Sequence, residues 1–135
     1  MVNGRPKFYQ ALVECGTAFG AIGRASVTID NEHFVCQRIT HEIVGADDEN
    51  LFQDGQYLLE FRDDFRRYTS TPMPPDTIFG SVRHGIFIPL PKELEYIGNR
   101  TLSFDITNQL DRSAYGPTFK VAFILCGYVL DPSNN

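Results

Sequence analysis

From Thr101 to Asn108 apolar and polar residues alternate without a break, with Leu102, Phe104 and Ile106 set against Ser103, Asp105 and Thr107. Successive side chains of a strand point to opposite faces, so a strand with this pattern buries one face and wets the other. The same period appears over Gln56–Arg62, where Tyr57, Leu59 and Phe61 share a face. Asp54-Gly55 supplies a turn signal just before it. A third run, Thr118 to Leu130, sets Phe119, Val121, Phe123, Leu125 and Val129 on one face. Its other face carries Lys120, Ala122, Ile124, Cys126 and Tyr128, and is apolar enough to predict a central strand or one covered by a partner.

Weaker runs fill the gaps. Phe8 to Cys15 reads as a strand. Ser26 to Ile29 and His33 to Ile43 read as a hairpin turning at Asp30-Asn31, two residues that tolerate positive φ. Ile86-Phe87-Ile88 is a short strand stopped by Pro89 and Pro91, and Thr77-Ile78-Phe79 is a further candidate. Helix signals are confined to single turns at Pro91–Tyr96 and Asp63–Arg67. The segment Thr69–Asp76, with Pro72, Pro74 and Pro75, predicts a stiff crossover between sheets. Its Met73 is either pressed on the body or offered to a partner.

About eight short strands without a covering helix predict an all-β fold. The expected form is a single-domain antiparallel β-sandwich, jelly-roll or Greek-key like, with a closed up-and-down barrel as the alternative. A chain of 135 residues suits one domain, residues 1–135, with short tails at about 1–7 and 131–135. At 42 % hydrophobic and 21 % charged residues it can bury a core without a metal or disulfide staple. The formal net charge of −5 argues against direct nucleic-acid binding, whose footprint is basic. No apolar run approaches the ~20 residues of a membrane-spanning helix, and the start MVNGRPKFYQ has no apolar signal-type stretch.

No catalytic motif stands out. Cys15, Cys36 and Cys126 are odd in number and far apart, which predicts reduced thiols packed as small hydrophobes. His33 and Cys36 point to opposite faces of an unbroken strand. His33 and His41 share a face but lie ~26 Å apart along it, so no metal site is expected. These histidines and His84 are expected at solvated or edge positions. Asp47-Asp48-Glu49 lacks the register and glycine of a calcium loop and reads as a solvated loop. The glycine-rich Gly16–Gly23 lacks a phosphate-loop ending, no serine sits in a G-x-S-x-G elbow, and the chain has no tryptophan. The expectation is therefore no enzyme, no cofactor and no metal.

Glu60–Arg67 (EFRDDFRR) is the densest charge run, with three acids against three bases. It reads either as a salt-bridge-laced surface or as an interface, because Arg and Tyr are enriched at binding hot spots. Arg62, Arg66, Arg67, Tyr68, Met73 and Tyr128 are the candidate protein-interface residues.

The second half carries a wider pattern. It runs G-x-Y-x-x-E-F-R-D at Gly55–Asp63, I-F-G-S at Ile78–Ser81, I-P-L-P at Ile88–Pro91, L-S-F-D-I-T-N at Leu102–Asn108 and G-Y-x-L at Gly127–Leu130. Over roughly residues 50 to 130 the chain resembles small structural proteins of tailed-bacteriophage virions, the capsid cement or decoration proteins built on a jelly-roll sandwich. That resemblance implies a structural protein bound between major capsid subunits, acting as a dimer or trimer without chemistry. It would be made in the host cytoplasm and end on the capsid surface. The alternative is a tail- or fibre-associated adhesion or receptor-binding sandwich.

Overall fold

The computed structural model describes residues 4–44, 57–81, 85–113 and 116–130. It is nearly all β, with antiparallel sheets. Nine strands follow in order: β1 (Gly4–Gly16), β2 (Ile22–Thr28), β3 (His33–Ile43), β4 (Tyr57–Asp63), β5 (Gly80–Ser81), β6 (Ile86–Phe87), β7 (Leu94–Ile97), β8 (Thr101–Asn108) and β9 (Thr118–Leu130). One short helix, α1 (Pro75–Phe79), precedes β5.

The strands form two sheets, β1-β9-β3-β7 and β2-β8-β4, with β5 and β6 as a small separate ladder. Consecutive strands β1 to β4 alternate between the sheets. The fourth place of the second sheet, beside β4, is taken by the irregular stretch 66–73. Its backbone exchanges hydrogen bonds between Leu59 and Met73 in both directions, and Tyr68 N–H donates to the Phe61 carbonyl. This is the double Greek-key wrapping of a jelly roll.

The alternation read from sequence sets the core. Tyr57, Leu59 and Phe61 of β4 and Leu102, Phe104 and Ile106 of β8 are buried from one sheet. Val13, Ile39, Val121, Phe123 and Leu125 are buried from the other. Phe61 lies directly across the ladder from Phe104. Their rings stack at 4.8 Å, and Phe104 stacks in turn on Phe123 of the opposite sheet at 4.7 Å. A three-ring column therefore ties the two layers together.

Several local expectations are corrected. β2 and β3 lie in different sheets, so Asp30-Asn31 belongs to a sheet-to-sheet crossing rather than a hairpin turn. Ile29, buried at that crossing, donates its backbone N–H to the Arg100 carbonyl. Residues 77–79 are helical behind Pro75, and 94–97 form an edge strand rather than a helical turn. Asp63–Arg67 is a turn held by a side chain, not a helical turn. β1 begins at Gly4, so residues 4–7 pair with β9 instead of forming a tail. Asp47–Glu49, His84 and residues 131–135 lie outside the described residues.

One irregularity governs which side chains reach the surface. Between Cys36 and Arg38 the β3–β9 register slips, with Cys36 opposite Gly127 and Arg38 opposite Cys126, leaving Gln37 as the extra residue of a β-bulge. Before the bulge Phe34 and Cys36 face the core; after it Ile39, His41 and Ile43 do. His33 and His41 thus end on opposite faces, against the unbroken-strand expectation. His33 sits at the surface 3.0 Å from Glu95, while His41 is buried. Gly127 is required there, because a Cβ on it would stand 1.9 Å from the Val35 carbonyl oxygen.

Candidate functional site

The arginine group lies at the outer edge of β4. Asp63, its side chain fully buried, organises the turn: one oxygen accepts from Phe65 N–H at 2.7 Å and Arg66 N–H at 3.0 Å. The other accepts from the Tyr68 hydroxyl and meets the Arg100 guanidinium at 2.9 Å. Burial alone would push the Asp63 carboxyl up. The bonds from Tyr68, Phe65 and Arg66, with the charge of Arg100, more than offset this and hold it below the ordinary carboxylate range.

Around this turn every predicted arginine has an acidic neighbour within the chain. Arg62 pairs with Asp105 at 2.8 Å, Arg66 lies 3.7 Å from Asp63, and Arg67 pairs with Glu60. All three keep substantial exposure, and Arg66 also lies over the Tyr68 ring. Tyr68 itself is half-buried, stacked on Phe61 and receiving a bond from the Tyr96 hydroxyl. Met73 is half-buried, its backbone paired with Leu59. Arg62, Arg66, Arg67, Tyr68 and Met73 therefore gather along one edge. Tyr128 does not join them; it sits half-buried on the outer face of the other sheet, near Glu93. Tyr9 is buried; its hydroxyl donates to Glu32 and accepts from Asp30 N–H.

The outer face of the four-stranded sheet is the second surface of note. Its central residues stand in three cross-strand rows: Phe8–Cys126–Arg38, Gln10–Ile124–Thr40 and Leu12–Ala122–Glu42. Phe8 is 63 % exposed and Leu12 43 %. Phe87 of β6 rises beside this face, with the Arg38 guanidinium 4.9 Å from its ring centre. Between Phe8 and Phe87 runs an open groove of about 610 Å³, floored by Thr40, Ile124 and Cys126. The Arg38 Nε is buried without a hydrogen-bond partner among the described residues. The sequence flagged the β9 side of this face. It missed Arg38 and Glu42, because the bulge that aims them outward leaves no signature in the pattern, and it missed Phe8 and Leu12 of the regularly paired β1.

The interior chemistry is that of a core. His41 accepts from or donates to the Tyr57 hydroxyl through Nδ1, while Nε2 lies 2.9 Å from both the Gly80 carbonyl and Asp76. Two acceptors at Nε2 place a proton there. The ring thereby fastens β4, α1 and β5 onto β3. Burial pushes the Cys36 thiol up to about 12 and raises that of Cys15, which suits packing rather than nucleophilic work. All three cysteines are free thiols. Among the described residues no His, Cys, Asp and Glu side chains group as a metal site, and no helix is long and apolar enough to cross a membrane.

No family model, curated protein or solved structure matches this chain.

Proposed function

We propose that this protein is a non-catalytic virion structural subunit, a capsid cement or decoration protein that binds between major capsid subunits and stabilises the particle. The observation that carries the reading is the apolar face of the four-stranded sheet, which nothing among the described residues covers. Phe8, Leu12, Ile86 and Phe87 stand exposed on or beside it, over half-buried Ile124 and Cys126. Contiguous apolar surface of this kind marks a protein-binding site. The arginine turn offers a second, planar and charged contact on a different edge, suited to fixing the register of docking on a carboxylate-bearing partner. A subunit that binds only the assembled lattice stabilises it by mass action, and many copies act together.

The test uses particles made with and without the protein. Its absence is expected to lower the temperature at which particles release DNA. Replacing Arg62, Arg66 and Arg67 together with Ser is expected to leave the fold intact, since the three guanidinium groups are exposed, pairs of this kind are worth about 0–1 kcal/mol each, and buried Asp63 keeps Arg100, Tyr68 and two backbone N–H donors. The same change is expected to reduce occupancy on particles. If particles lacking the protein are as heat-stable as those carrying it, the cement role fails.

A further inference from the structure

From the outer face of the β1-β9-β3 sheet we infer that the protein forms a two-fold dimer by packing this face against the same face of a second copy. The inference deepens the structural-subunit reading and rests on it for why a dimer is useful; its own grounds are geometric. In the three rows described above, one end of the face carries Phe8, Cys126 and Arg38, and the other carries Leu12, Ala122 and Glu42. Arg38 and Glu42 are about 13 Å apart along β3 at ~3.3 Å per residue. Neither has an ion-pair partner among the described residues, although both line the groove.

A two-fold axis between the sheets, perpendicular to the strands and over the Gln10–Ile124–Thr40 row, lays the first row on the partner's third. Arg38 then opposes the partner's Glu42, and the partner's Arg38 opposes Glu42. Phe8 opposes the partner's Leu12, and Cys126 the partner's Ala122. Within these three rows apolar meets apolar and each charge meets its opposite, twice over, as an isologous interface demands. An axis running along β9 instead would lay Phe8 on Arg38 and Leu12 on Glu42, losing both matches. The favoured arrangement is ordinary aligned sheet packing, with sheets ~10 Å apart. β1 and β9 have 13 residues each. With the 11 residues of β3, these three long strands present a face on the order of 600 Å², approaching the ~800 Å² per partner of a standard interface. The arginine turn belongs to β4, in the other sheet, and stays open to a larger assembly.

Sedimentation equilibrium of the full chain at micromolar concentration tests this, with Arg38→Glu, Glu42→Arg and the double exchange. The wild type is expected to be a dimer. Each single reversal is expected to weaken it tenfold or more, since it sets like charges against each other. The double exchange restores both reciprocal pairs and is expected to recover most of the affinity. A wild-type monomer overturns the proposal, whether its face is covered by the chain's own ends or reserved for another protein. Single reversals that associate like wild type, or a double exchange no better than either single, also overturn it. A monomer that still loads onto particles removes the dimer and leaves the assembly role. A dimer that the exchange experiment supports but that loads onto no particle removes the role and leaves the dimer.

Discussion

Replacing Phe104 with Ala removes the middle ring of the column that joins the two sheets. Phe104 is fully buried, with Phe61 stacked on one side and Phe123 on the other at interplanar angles of 10° and 12°. A buried Phe→Ala change costs about 3–5 kcal/mol, and the spread depends on how well the site collapses. Here collapse is hindered on both sides. Phe61 is held from behind by Tyr68 at 4.7 Å, and Phe123 by Tyr57 and His41. Neither ring can follow the vacated space without breaking its own contacts, so the upper part of the range applies, about 4–5 kcal/mol. A domain has about 5–15 kcal/mol in total. Urea unfolding followed by circular dichroism reads the loss. With a slope of about 2 kcal/mol per molar, the midpoint is expected to fall by roughly 2 M. Phe104→Leu, which keeps most of the volume, is expected to lose about 1–1.5 kcal/mol. A loss below about 1 kcal/mol for Phe104→Ala at unchanged slope would refute the column as the inter-sheet tie.

Gly127→Ala is expected to destabilise by about 3 kcal/mol or more, because the added methyl meets the backbone of Val35 and Cys36 and the bulge must open; the urea midpoint measures it. Stability is expected to fall with acid through Asp63, whose native pKa is depressed below its unfolded value of about 3.8. The unfolded chain then binds the proton more readily. The contribution is therefore whole above about pH 4 and is lost as pH falls through the native pKa. Asp63→Asn is expected to be less stable at neutral pH and to show a flatter acid dependence, seen in melting temperatures across that range.

Where one face of a strand is buried and the other wet, the sequence spoke clearly. β4, β8 and β9 were legible to within a residue, and Phe104 and Phe123 emerged as core. The failures share a cause: the deciding contact lies far along the chain. The bulge at Gln37 reverses the facing of everything after it in β3. It thereby buries His41 and turns Arg38 outward, and its partner is Gly127, ninety residues on. The segment Ser26–Ile43 has turn chemistry at its centre, yet Ile29 is drawn away to the Arg100 carbonyl and the two strands part into different sheets. Of the candidate interface, the arginines were legible as surface residues. Their intramolecular pairing with Asp105, Asp63 and Glu60 was legible only as a balanced charge count.

The proposal that this chain is a structural part of a virus particle is tested most directly by its copy number in purified particles, counted against the major capsid protein by quantitative mass spectrometry. A cement or decoration protein is expected in a fixed, high ratio to the capsid subunit. Absence from the particle contradicts the account, and a few copies per particle contradict the capsid role in favour of a tail- or fibre-associated module.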